Sequence, residues 1–337
     1  MLRVLGGIMH HNQLLKSALG VSLVGLLATG ALAQFNETEA NDNKTQANSI
    51  VTSASGYTIS GNTTGTSTTV AGAASADHFL ITMYQAAPAI YRHRLTLSSQ
   101  TVGHSGAILG LTQTAGTPNA GTYTAFQTSS TATTPARFNQ WYGFGKSEQL
   151  YYRVTGGTAT TANYTATHSV DVITPTAMGN FQAGSISISA IGQGHSTDTD
   201  MWVYDSNFNA ISGYGNDDGG TTGLQSQLTR TYAPGKYYLA ISNFGIANNL
   251  GSPADDRFRT GSVMDFPNIL VNSSTTTNLN LTFTIASSDR TFQQAATKVG
   301  PYDVNFYEFN VVPEPGTMAA LGLGVFGAIA RRRRSKK

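Results

Sequence analysis

Leu279-Asn280-Leu281-Thr282-Phe283-Thr284-Ile285 decides the fold class of this 337-residue chain. Apolar and polar side chains alternate along it. A strand sends successive side chains to opposite faces, so such a run buries one face and wets the other. The pattern recurs in His78-Phe79-Leu80-Ile81-Thr82-Met83, Arg92-His93-Arg94-Leu95-Thr96-Leu97 and Leu150-Tyr151-Tyr152-Arg153-Val154. It returns in Ser185-Ile186-Ser187-Ile188-Ser189, Met201-Trp202-Val203-Tyr204 and Tyr237-Tyr238-Leu239-Ala240-Ile241. Links rich in Gly, Asn and Ser separate the runs, and long amphipathic helical patterns are missing. The expectation is an all-β chain of two antiparallel, jelly-roll-like β-sandwich domains.

Both ends read as addresses. Residues 1–33 have a basic start, an apolar core and Ala31-Leu32-Ala33, the pattern of a signal peptide cleaved after Ala33. Met9 begins a more typical leader than Met1, and His10 and His11 belong to its polar start. At the other end, residues 312–337 hold Pro313-Glu314-Pro315-Gly316, an apolar run from Thr317 to Ala330, then Arg331-Arg332-Arg333-Arg334-Ser335-Lys336-Lys337. Cations resist passage through a bilayer, and a run of about 14 apolar residues is short of the roughly 20 that a permanent span needs. Membrane residence is therefore expected to be transient. Val312-Pro313-Glu314-Pro315 with the run and cluster resembles the PEP-CTERM sorting signal. That resemblance implies a Gram-negative host, recognition by an exosortase, and delivery to the cell surface or extracellular matrix.

The apparent basicity belongs to these addresses. Residues 34–312 hold 12 Lys and Arg against 17 Asp and Glu, a net charge of −5. An acidic body without a basic stripe excludes nucleic acid as a partner. The chain has no cysteine, so stability outside the cell rests on packing or bound ions. The body of about 279 residues suits two domains, 34–173 and 174–311, meeting near Val172-Ile173-Thr174-Pro175. Ala162–Val170 is the expected closing strand of the first, and new strands start at Phe181. Each half has an aspartate-led strand (Asp77-x-Phe79, Asp200-x-Trp202) and a Tyr-Tyr strand. One large sandwich is the alternative.

Two acidic clusters are candidate metal sites. Glu37, Glu39, Asn41 and Asp42 put four oxygen-bearing side chains within six residues, and Asp77 heads a later strand. Asp198 and Asp200 precede Asn216-Asp217-Asp218-Gly219, whose glycine-rich loop follows an Asx-type turn near Asp205. Calcium accepts six to eight such oxygens in loose geometry, so calcium is the expected ion. Solvated turns are the competing reading for both.

Glu39-Ala40-Asn41-Asp42, Asp77-x-Phe79 and Leu150–Val154 resemble bacterial pre-peptidase C-terminal domains. Asp198–Asp205 with Asn216–Gly220 and Ala233–Ile241 is similar to the second half of that family. The resemblance implies β-sandwiches, some members of which bind calcium through an acidic N-terminal segment and strand aspartates. This chain lacks the usual proline at Ala40 and a frequent aspartate at Ala74.

Catalytic patterns fail on spacing. His104-Ser105 and His195-Ser196 are sequence neighbours, which a strand points to opposite faces. Neither forms a Gly-x-Ser-x-Gly elbow. His78, His93 and His168 are scattered, with His78 expected on the outward side of its strand. Gly322-x-Gly324-x-x-Gly327 lies inside the apolar tail and carries no nucleotide. Trp141-Tyr142-Gly143-Phe144, Trp202 and Tyr204 are weighed as sugar-stacking platforms and read as buried strand residues. A non-enzymatic surface or matrix protein with a structural or adhesive role is expected. The alternative is a calcium-dependent module binding extracellular polysaccharide.

Overall fold

A computed structural model describes residues 32–53, 56–63, 75–99, 104–112, 127–130, 137–156, 163–219, 223–251, 253–256, 267–314 and 316. The expected signal peptide through Ala31, Ala74, Pro315 and the apolar tail with its Arg cluster lie outside them. The described chain is nearly all β. The first half contributes β1 (Ala33–Asn36), β2 (Asn48–Val51), β3 (Tyr57–Asn62), β4 (Ala76–Thr82) and β5 (Ile90–Ser99). It continues with β6 (Ser105–Leu109), β7 (Gln127–Ser130), β8 (Arg137–Gly143), β9 (Gln149–Thr155) and β10 (Asn163–Ile173). The second half holds β11 (Thr176–Gln182), β12 (Gly184–Ser189), β13 (Thr199–Tyr204), β14 (Ala210–Asn216), β15 (Gln227–Tyr232) and β16 (Gly235–Asn243). Then come β17 (Ile246–Ala247), β18 (Ile269–Asn272), β19 (Leu279–Asn280), β20 (Phe283–Ala286), β21 (Thr291–Gln294), β22 (Thr297–Lys298) and β23 (Asn305–Val312).

Two sheets dominate the first half, in the orders β2-β4-β9-β6-β7 and β1-β3-β10-β5-β8-β18-β17. Ile50, Phe79, Ile81, Ile108, Tyr152 and Val154 of the one meet Tyr57, Ile59, Leu95, Leu97, Trp141 and Ala166 of the other in a single core. The second half repeats the plan with β11-β23-β16-β13-β14 and β15-β12-β20-β21. Its core joins Met201, Val203, Leu239, Ile241 and Phe309 to Ile186, Ile188, Leu228, Phe283 and Ile285. Each fully buried Leu, Ile or Phe contributes about 1.5–3 kcal/mol, so alternation along each strand supplies the force that pairs the faces.

Most strand pairs are antiparallel. The parallel ones are β1 with β3, β2 with β4 and β11 with β23. In both halves the aspartate-led strand lies antiparallel to the Tyr-Tyr strand, with Phe79 opposite Tyr152 and Tyr204 opposite Tyr238.

The halves also touch. β18, from the second half, extends the first half's larger sheet, with Ile269 opposite Gly143 and Leu270 opposite Tyr142. A third cluster mixes Ile90, Tyr142 and Phe144 with Trp202, Tyr204, Phe208 and Phe306. Lys146 donates from Nζ to Phe208 O at 3.2 Å and Asn209 Oδ1 at 2.6 Å.

Candidate functional site

The N-terminal segment supplies the first candidate. β1 runs parallel to β3 and delivers Glu37 just beyond its end, where the Asn62 amide donates to Glu37 Oε1 at 2.7 Å. The Tyr164 hydroxyl, from β10, donates to Glu37 Oε2 at 3.0 Å. Asp77 arrives from β4 and is fully buried, and neither of its oxygens has a well-formed hydrogen bond. Its polar neighbours are the Glu37 carboxyl and the Tyr164 hydroxyl. Burial first, then Glu37, pushes the Asp77 carboxyl up to about 9. A carboxylate buried beside a second carboxyl group is unfavourable unless a proton or a cation neutralises it.

The rest of this cluster divides. Glu39 is exposed, and its carboxyl is raised by partial desolvation, then by Glu37 and Asp42. Asp42 is buried and accepts the Ala76 amide at 3.3 Å, next to Asp77. Asn41 is buried as well, and Asn41 Nδ2 donates to Asn48 Oδ1 at 3.2 Å. The Asn41 carbonyl accepts the His78 amide at 2.9 Å, and Nδ1 of that ring lies 3.2 Å away. His78 is therefore buried, not outward as the alternation implied. The segment around Asn41–Lys44 covers the second face of β4, which a two-residue period cannot foresee.

The second candidate is tighter. Carboxylate oxygens of Asp198, Asp217 and Asp218 lie within 4.8 Å of one another, a grouping of three acids that stands alone among the described residues. Burial and then Asp218 raise the Asp198 carboxyl to about 6. Burial and then Asp256 raise Asp218. Asp200, also expected here, is buried on β13 outside that grouping. Asp256 was missed. Its two carboxylate oxygens accept the Asp217 and Asp218 amides at 3.3 and 3.4 Å, from 39 and 38 residues away. Asp255-Asp256 in a polar loop was the available signal, and nothing in its spacing tied it to Asp217.

The Asx-type turn forms as read. Asp205 Oδ1 accepts the Asn207 and Asn209 amides at 2.8 and 2.9 Å, and Phe208 takes φ 57°. Trp141, Tyr142, Phe144, Trp202 and Tyr204 are all buried, so none is a sugar platform. The histidines lie within the fold as well. His93 Nδ1 is 3.1 Å from His168 Nε2, between the rings of Trp141 and Tyr57. Burial pushes these imidazoles down to about 3 and about 4.

A cleft of about 270 Å³ opens where the halves meet, lined by Arg92, Tyr142, Asp303, Asn305, Phe306 and Tyr307. Arg92 is paired with Asp171 at 2.8 Å, and Gln140 Nε2 donates to Asp303 Oδ1 at 3.0 Å. Of the tail, Pro313 and Glu314 are exposed after β23, and Ala33 is exposed at the start of β1.

The PEP-CTERM protein-sorting motif matches residues 311–334. No curated protein matches the chain. The motif implies an exported, surface-associated protein of a Gram-negative bacterium that is processed by an exosortase.

Proposed function

We propose that this chain is a non-enzymatic structural or adhesive protein of the cell surface or extracellular matrix. The observation that carries the reading is the sorting motif joined to an acidic, cysteine-free body built from β-sheets. Small uncharged Thr and Ser on outward strand positions suit a protein exposed to polymer and solvent. Calcium serves as the fastener that disulfides provide elsewhere. Glu37 and Asp77 hold one ion, with Glu39, Asn41 and Asp42 nearby. Asp198, Asp217 and Asp218 hold another, with Asp256 fixing the Asp217 and Asp218 amides and Asp200 buried on β13. At the first site the ion replaces the proton that buried Asp77 otherwise keeps.

The experiment is cellular. Cells lacking residues 313–337 of the protein, or lacking exosortase, are fractionated and their surface polymer is tested for cohesion. Loss of the protein from the surface together with a weaker matrix supports the role. An intact matrix after deletion of the whole protein contradicts it.

Extracellular polysaccharide is a second partner to consider, and the cleft between the halves favours it. The Arg92 guanidinium beside the Asp303 carboxylate, 4.0 Å apart, fits the hydroxyl groups of a sugar. A glycan array with and without calcium separates the two readings.

A further inference from the structure

Lys298, at the end of β22, is a lysine fully withdrawn from solvent. Its Nζ donates to Asn243 Oδ1 at 2.7 Å and to Ser274 O at 2.9 Å. Asn243 ends β16 and is 2% exposed. Asn243 Nδ2 donates to Ser274 Oγ at 2.6 Å. Asn272 locks the set from β18. Its Nδ2 donates to Asn243 O at 3.0 Å, and its Oδ1 accepts the Ser274 amide at 2.6 Å. Amine and amide are thus held in contact by buried polar groups from three strands and from Ser274 in the loop after β18.

These hydrogen-bond partners of the amine are neutral. Burial away from water penalises the ammonium and raises the fraction of neutral amine. Burial lowers the Lys298 amine to about 8, with the Asp303 carboxylate opposing that shift. A neutral amine fixed against an amide is a nucleophile placed beside an electrophile, and fixed proximity replaces the encounter that makes such reactions slow in solution.

We propose that Lys298 and Asn243 become joined by an intramolecular isopeptide bond. The Lys298 ammonium first releases a proton, and Nζ attacks Cγ of Asn243. The Cγ–Nδ2 bond then breaks, and Nδ2 takes up protons and leaves as ammonia, which is ammonium at neutral pH. One ammonium and one primary amide give one secondary amide and one ammonium ion. Atoms and charge balance, and no oxidant or reductant takes part. Ser274 is a positioning residue, since its hydroxyl and carbonyl hold the departing nitrogen and the attacking one. The bond closes a loop across 55 residues and ties β22 to the sheet whose strands β13 and β14 are flanked by Asp198 and Asp217. In an exported chain without cysteine it does what a disulfide does, by restricting the unfolded state.

The test is the intact mass of the denatured full chain purified from cells, followed by peptide sequencing after proteolysis. The expected mass is lower than the sequence requires by one ammonia. A branched peptide then joins Lys298 to Asn243, and Lys298→Arg and Asn243→Ala remove the branch and restore the mass. Cyclisation of an N-terminal glutamine at Gln34 releases the same ammonia, so the branched peptide decides. Unbranched peptides around both residues in the wild-type chain overturn the proposal, whether or not the variants fold.

Discussion

Asp77 is the residue on which most of the chemistry turns. Its folded value of about 9 lies above the ordinary carboxylate range because burial and Glu37 favour the protonated form. Stability from this group is complete below the unfolded value near 4. It is lost as pH rises through the interval from about 4 to about 9. A cation held by Glu37 and Asp77 cancels that loss and releases a proton on binding. In chelator, the melting temperature is expected to fall from pH 5 to pH 9, and millimolar calcium restores it at the upper end. At a hundredfold excess over Kd the gain is about 2.7 kcal/mol. Asp77→Asn should flatten the alkaline slope and abolish the calcium gain at this site. Melting curves identical with calcium and chelator at pH 8 leave both acidic clusters without an ion. The sequence could place Glu37 and Asp77 in one list of oxygen ligands, but not face to face. Their contact depends on β1 lying parallel to β3, a pairing that no local pattern announces.

Strands were the most legible elements, because a two-residue period is a local property. Every alternating run from His78 to Ile241 falls in a strand apart from Met83, just past β4. Asn163–Val170 of the expected closing strand lies in β10, which continues to Ile173. The run at Leu279–Ile285 is interrupted. Its ends form β19 and β20, which belong to different sheets, and the Leu281 amide between them donates to Ala296 O at 2.9 Å. The second strand set starts at Thr176, earlier than Phe181, since β11 is a parallel edge strand with weak alternation. Close approach is another non-local property. Gly215 of β14 faces Trp202 of β13 so tightly that a Cβ there would lie 2.1 Å from the indole ring. Gly215→Ala is expected to cost about 1–3 kcal/mol, the ordinary range for overpacking. Denaturant unfolding followed by Trp fluorescence measures it, and an unchanged midpoint would show that the indole has room to move.

For the whole molecule, the expected boundary lies in the link between β10 and β11, yet the halves share side chains and backbone pairs across it. Ile90, Tyr142 and Phe144 pack against Trp202, Tyr204 and Phe208, and β18 borders β8. A fragment of residues 34–173 exposes that apolar patch and an unpaired strand edge. It is expected to self-associate and to melt below the intact chain. Analytical ultracentrifugation checks this, and a monomeric fragment with the parent's melting temperature would mean that the contact adds nothing. The contact escaped sequence reading because Tyr142, Phe144 and Trp202 look alike whether they face a domain core or a neighbouring domain.

The destination of the protein is set by its tail, and the expected leader at the other end bears on it as well. An apolar run of about 14 residues is too short for lasting membrane residence, so the Arg cluster is expected to be removed during sorting. The most direct measurement is the intact mass of the protein recovered from the cell exterior. A chain that begins at Gln34 and ends before Arg331 is the predicted species. A surface species still carrying Arg331–Lys337 would contradict processing at the tail and, with it, delivery by an exosortase.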